Sequence, residues 1–312
     1  MSDAAIVGSP ATERTQPHHR HWTDALLVPF RGRSWLRTLA LLLPGTLWMA
    51  VFVLVPLGSI VLFSFWKSGY LGLRAEYNLG NYTTLVQDAS VRSITLWTLG
   101  LVALVLVGAV CIAYPVAYAL WRLVRSQRVK MAILLLMIIP FWTSYLIRTI
   151  TWLPMFGVDG LVNTLLIHLG IIKHPLTFLL YSRSALLLAL WFLYTVFVVG
   201  PLYWSMSRID EDVISAAAVF GARPWQTFTN VVFPLSKPGL MAGALFTVIF
   251  TMGEFFTEET IGGGTDPTLA QLIINDIYVF QWSGACAIAV LLTAITVAIV
   301  TVMLRFFDIR KI

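Results

Sequence analysis

Charge is scarce in this chain. Of 312 residues only 12% are Asp, Glu, Lys or Arg, 58% are hydrophobic, and the mean hydropathy is +0.82. A soluble domain carries about twice that share of charge, so water is excluded as the solvent for most of the surface. Lysine is rarer still: none of the five follows a glycine, and no Gly-x-x-x-x-Gly-Lys-Ser/Thr run exists, which excludes a P-loop nucleotide site. The two cysteines, Cys111 and Cys286, lie in apolar stretches with no Cys-x-x-Cys and no histidine nearby, which makes them packing residues and no disulfide pair or metal ligands. There is no His-Glu-x-x-His and no pair of aspartates in an apolar run, so the chain lacks the usual equipment of an intramembrane enzyme.

What is present is a series of long apolar runs at 36–66, 94–121, 131–153, 184–206, 238–257 and 284–306, each near or above the roughly 20 residues a helix needs to cross a bilayer. The fold class they predict is an all-α membrane protein with six transmembrane helices. Net charge is +6 with an isoelectric point near 9.5, but the basic residues sit mostly in short loops beside the apolar runs, which fits membrane orientation and no nucleic acid partner. The first segment, 122–130, the stretch around 207–236 and the end after Arg305 hold fifteen of the 21 Lys and Arg, against five in the intervening loops. That alternation places both termini in the cytoplasm, together with the 207–236 loop.

Residues 1–35 read as a polar cytoplasmic tail and 36–312 as a six-span transmembrane domain that includes the 207–236 loop. His18, His19 and His21 lack the carboxylate or cysteine frame of a metal tract and read as solvated. Trp22, Leu26, Leu27 and Phe30, followed by Arg31, Arg33 and Arg37, form a short amphipathic approach to the membrane surface. Pro44, Pro56, Pro115, Pro140, Pro201 and Pro238 mark bends within or at the ends of the runs, and Gly239 and Gly243 form a small-xxx-small packing step. Of the loops on the other side, 70–90 is long enough to carry structure, and 161–169 is an apolar piece too short to span.

The stretch 210–234 is of mixed polarity. Asp210, Glu211 and Asp212 suit a helix N-terminus, residues 213–220 make a short helix of small and apolar residues, and Gly221 stops it. Ala222, Arg223 and Pro224 turn the chain, and Trp225, Phe228, Val231 and Val232 recur at helical spacing until Pro234, where the second helix is expected to end. This elbow resembles the EAA loop of the permease subunits of ABC importers: Ala216, Ala217, Gly221 and Pro234 fall in register, Ser215 stands in the place of the family's Glu, and Phe233 in that of its Leu. The resemblance implies that the loop docks on a separate ATP-hydrolysing subunit, with Glu211 one turn earlier in place of the missing acid, and makes Glu211, Ser215, Ala216, Ala217, Gly221, Pro224 and Pro234 the coupling residues.

A solute has few charged groups to meet. Glu254, in the otherwise apolar run 238–257, is expensive there unless it faces a cavity or a partner. Glu258 lies one helical turn on, and Gly262, Gly263 and Gly264 close the stretch as a flexible turn. Two readings stand for Glu254: it binds a cationic solute, or it pairs with Arg148 of the third run. Phe255, Trp152 and Tyr194 are candidates for an aromatic wall around an amine. The run 139–149, Ile-Pro-Phe-Trp-Thr-Ser-Tyr-Leu-Ile-Arg-Thr, together with Gly253-Glu254-Phe255 and the later glycines, looks like the spermidine/putrescine permeases of the PotB type, within the MetI-like fold of type I ABC importers. That resemblance spans most of the chain. It implies a transport subunit without enzymatic activity or cofactor, in the bacterial inner membrane, partnered by two ATPase subunits, a second permease of the PotC type, a periplasmic solute-binding protein and membrane lipid. Family members carry other small solutes too, amino acid-like, opine, phosphonate or iron. A secondary transporter is disfavoured because no repeated halves are visible, and a channel because no selectivity stretch stands out.

Overall fold

The computed structural model describes residues 34–69 and 72–306, so the tail with its histidines, the amphipathic approach at 22–33 and the last residues lie outside the described part. The chain divides into two compact units, 1–58 and 59–312. Helix α1, Ser34–Ser64, contributes all the described residues of the first unit and runs on into the second. At 1.5 Å per residue its 31 residues reach about 46 Å, and Pro44 and Pro56 lie inside it.

The second unit begins with a two-stranded antiparallel hairpin, β1 Lys67–Gly69 and β2 Gly72–Arg74, in the register Lys67 to Arg74 and Ser68 to Leu73. A short helix α2, Gly80–Gln87, follows, so the 70–90 loop does carry structure. Helix α3, Ala89–Arg122, starts where the side chain of Asp88 accepts the Ser90 amide. Beyond α4, Gln127–Ile138, the chain breaks: a 3-10 turn at Ile139–Trp142 leads into the short helices α5, Tyr145–Ile150, α6, Trp152–Phe156, and α7, Leu161–His168. The long helix α8, Arg183–Met206, comes next, then α9, Glu211–Val219, and α10, Pro224–Thr227. A π turn, Phe228–Val232, runs into α11, Phe233–Met252, and a second π turn, Glu258–Gly262, precedes α12, Leu269–Tyr278, and α13, Trp282–Phe306. Among the described residues six stretches are long and apolar enough to span a membrane.

Three boundaries differ from the sequence expectation, each for a local reason. The run 131–153 is no single helix, because Pro140 lacks the amide that an α-turn requires there. Arg148 braces the break: its guanidinium donates to Pro140 O and Thr143 O, both at 3.1 Å, and the stretch in this region long and apolar enough to span is Tyr145–His168. Pro234 does not end a helix. It sits in the first turn of α11, where a missing N–H costs nothing, and the π turn before it absorbs the change of register. Finally, the fifth helix stops at Met252 with Gly253 as its cap, so Glu254 lies just beyond the helix end.

The core is a seam of α3, α8 and α11. Ala109, Ala113 and Ala117 recur every fourth residue on α3 and are fully buried, letting Val198, Leu202 and Met206 of α8 approach closely. Gly108 makes room for the indole of Trp191, whose N–H donates to Leu104 O at 3.0 Å. Where α11 meets α8 the backbone itself is the contact surface: a Cβ on Gly239 would lie 2.3 Å from Pro201 O, and one on Gly243 2.7 Å from the Cα of Val198. The small-xxx-small step therefore packs α11 on α8, as its spacing indicates. Because apolar side chains gain little from leaving lipid, this close van der Waals fit holds the seam. A Gly239→Leu substitution is expected to separate α8 from α11; the check is the yield of monodisperse protein in detergent, which should fall severalfold, and Gly45→Leu, at a position with open space around it, should leave that yield unchanged.

Candidate solute site and coupling elbow

The end of α11 brings together side chains from three segments. Glu254 is 3% exposed, yet its carboxylate is fully engaged: Tyr145 of α5 donates its hydroxyl to Oε1, the Thr257 amide donates to the same oxygen at 2.9 Å, and the Tyr194 hydroxyl of α8 donates to Oε2 at 2.6 Å. Thr268 donates to the Glu254 carbonyl at 2.6 Å, tying in the segment that starts α12. A buried polar group left without partners is costly, and these three hydrogen bonds satisfy both oxygens of the side chain. Arg148 is not its partner. The guanidinium is committed to the Pro140 and Thr143 carbonyls and lies over the Phe141 ring, 4.2 Å from its centroid, so of the two readings of Glu254 the ion pair does not form.

These groups face a cavity of about 320 Å³ whose walls include Phe141, Tyr145, Arg148, Tyr194, Glu254 and Phe255. Glu254, Phe255 and Tyr194 thus share one site. Trp152 stands apart, lining a neighbouring cavity of about 520 Å³ that shares Phe141, Arg148 and Leu193 with the first, and its ring stacks on Phe156 with centroids 4.6 Å apart. Glu258 is 1% exposed inside the second π turn, does not line the first cavity, and leaves Oε2 without a hydrogen-bond partner. The glycines after it are used: Gly263 and Gly264 both take positive φ, and the Tyr181 amide donates to Ile261 O at 2.7 Å. The Tyr145 hydroxyl is what the sequence reading missed; its only signal was a phenol in an apolar run with no partner nearby in sequence.

The elbow has the two-helix form expected. Asp210 accepts the Asp212 amide at 3.0 Å to cap α9, and Gly221 turns the chain with φ +78, which L side chains rarely adopt. Pro224 occupies the first turn of α10. Ser215 and Ala216 are exposed and Ala217 is half-buried; Phe220 at the tip is 89% exposed. Glu211 forms an ion pair with Arg122 at the end of α3, at 3.0 Å. The inner side is anchored by aromatics: Phe228 meets Tyr114 and Tyr118 of α3 edge-on, and the Tyr114 hydroxyl bonds Ser236 at 2.6 Å.

Comparison with known proteins now fixes the class. The family described as binding-protein-dependent transport system inner membrane component matches residues 109–311. Similar proteins include the spermidine/putrescine transport system permease protein PotB of Escherichia coli (strain K12), 29% identical over 250 residues that cover 80% of this chain and 90% of that one. Another is the inner membrane ABC transporter permease protein YdcU of the same organism, 30% identical over 238 residues, 71% and 74% of the two chains. In fold, a bacterial ABC transporter involved in the import of the acidic polysaccharide alginate superposes with a TM-score of 0.69 at 17% identity, over 90% of this chain and 98% of that one. The chain belongs to the binding-protein-dependent transport system inner membrane components. It is a non-catalytic, multi-pass permease subunit of an ABC importer in the bacterial inner membrane, a class that works with a separate ATPase and a binding protein.

Burial pushes the Glu258 carboxyl, beyond the end of the fifth span, up to about 7. Between roughly pH 4.5 and 7 the folded chain then holds a proton that the unfolded chain has released, so this group's contribution to stability falls as pH rises through that window. Thermal melts in detergent at pH 5, 6 and 7.5 should show Tm falling with pH in the wild type and falling less in Glu258→Gln, a difference of roughly 2 kcal/mol across the window.

Proposed function

We propose that this permease, paired with a second permease of the PotC type, forms the passage for a polyamine such as spermidine or putrescine. The observation that carries the reading is the buried Glu254 carboxyl group, which accepts three hydrogen bonds at the wall of an aromatic cavity. An ammonium group leaving water requires an anion and tolerates aromatic faces. Glu254, Tyr194 and Phe255, which share the cavity, form the first contact. The similarity to PotB over most of the chain favours the same solute class.

In this reading both termini and the 207–236 elbow face the cytoplasm. Two ATPase subunits closing on ATP press on the elbows of the two permeases through Glu211, Ser215, Ala216, Ala217, Gly221, Pro224 and Pro234. The helices attached to them rock as rigid bodies and open the passage toward a solute-loaded periplasmic binding protein. Hydrolysis resets it.

One observation favours a second reading. Arg148 lines the same cavity as Glu254 without pairing with it, so cation and anion stand side by side. That suits a small solute bearing both signs, amino acid-like or a phosphonate amine, carried by the same importer class.

ATP-driven uptake in proteoliposomes holding the assembled complex and its binding protein tests the assignment. Putrescine uptake is expected, and Glu254→Gln should lower it at least tenfold; uptake of an amino acid with none of putrescine would overturn the polyamine reading. For the elbow, Gly221→Trp should abolish co-purification of the ATPase, and retention of a full complement of ATPase would remove the coupling role.

A further inference from the structure

The cavity at Glu254 is one end of a longer feature. Along α8 and into the turn after it, Tyr194, Phe197, Pro201, Ser205 and Arg208 follow one another at steps of three or four, and along α11 to its cap Pro238, Ala242, Phe246, Phe250 and Gly253 do the same, so each segment presents one continuous stripe. At the end of the stripes opposite Glu254 lies a third cavity, of about 630 Å³, where Pro201, Ser205 and Arg208 meet Pro238 and Ala242, with Asp210 also in its wall. The middle is filled by rings: Phe197 lies 4.9 Å from Phe250 and 6.3 Å from Phe246, Phe246 lies 6.1 Å from Phe250, and Tyr194 stacks on Phe250 at 6.1 Å. Phe246 and Phe250 are 48% and 40% exposed.

We infer that Phe197, Phe246 and Phe250 are the closed constriction of the solute passage, separating an outer vestibule at Glu254 from an inner vestibule at Arg208 and Asp210. Two facts set this face apart from one turned to lipid. Charged groups stand at both ends of it, in cavities and not scattered along the helix. The glycine seam has already committed the neighbouring face of α11 to α8, so the ring stripe is the face left for a second permease across the passage. A plug of apolar rings blocks ions and water by withholding hydration, while an ammonium group can slip along ring faces once the helices part. The aromatic plug therefore sets selectivity as well as closure. This inference rests on the passage reading above but not on the identity of the solute.

The test uses the assembled complex in proteoliposomes without ATP, loaded with radiolabelled putrescine or with mannitol. Phe197→Ala/Phe246→Ala/Phe250→Ala should leak at least one of the two probes tenfold or more faster than wild type, whereas the corresponding triple Leu variant should stay tight. In parallel, Phe246→Cys in a background with Cys111→Ser and Cys286→Ser should react with a membrane-impermeant thiol reagent, at rates that differ between the nucleotide-free and ATP-trapped states. A triple Ala variant that assembles and stays tight to both probes would overturn the inference. So would a Phe246→Cys that reacts with a lipid-soluble maleimide but with no water-soluble reagent in either state, an outcome readable even where the triple variant fails to assemble. Absence of ATP-driven putrescine uptake by the wild type, with a leaking triple variant, would instead sink the polyamine reading and leave the constriction standing.

Discussion

Everything that positions the site follows from the absence of side chains on α11 where it crosses α8. Gly239 and Gly243 bring backbone against backbone, and no other residue fits at either place without moving a helix. That fixed crossing carries Tyr194 to the level of the α11 terminus, so the phenol reaches Glu254, and it lines up the two stripes of residues on the adjoining faces. In a bilayer, where burying an apolar side chain gains little over leaving it in lipid, such steric definition replaces the hydrophobic core of a soluble domain. The polar interactions come second, locking what the fit has placed.

The broken third segment and the broken end of α11 serve each other. At the break after Pro140 the carbonyls of Pro140 and Thr143 accept from Arg148, and in being so occupied Arg148 is withheld from Glu254. Glu254 is left to the phenols and to the Thr257 amide exposed by the helix end. A direct ion pair would have neutralised both charges and filled the cavity. Two interruptions of regular helix thus leave the Arg148 guanidinium and the Glu254 side chain apart within one pocket.

Much of this was legible in the amino-acid sequence because hydropathy and length dictate membrane helices almost without reference to context. The apolar runs at 184–206 and 284–306 coincide with α8 and α13 to within two residues. The elbow was legible through Gly221, whose positive φ is a backbone demand, and through the acidic cap at Asp210. Less visible were features set by partners distant in the chain. That Glu254 would take Tyr145 in preference to Arg148 depends on which way the third segment turns after Pro140, and sequence spacing holds no record of that turn. Pro234 misled for a related reason: proline ends a helix or begins one, and only the π turn before it decides between the two.

That π turn at Phe228–Val232 holds one residue more than an α-helical turn would between the elbow and α11. Each residue rotates a helix by about 100°, so this single surplus residue sets the angular phase at which the elbow meets α11. Evolution can thus re-aim the elbow by inserting or losing one amino acid, without touching either the face that packs on α8 or the tip that carries Phe220.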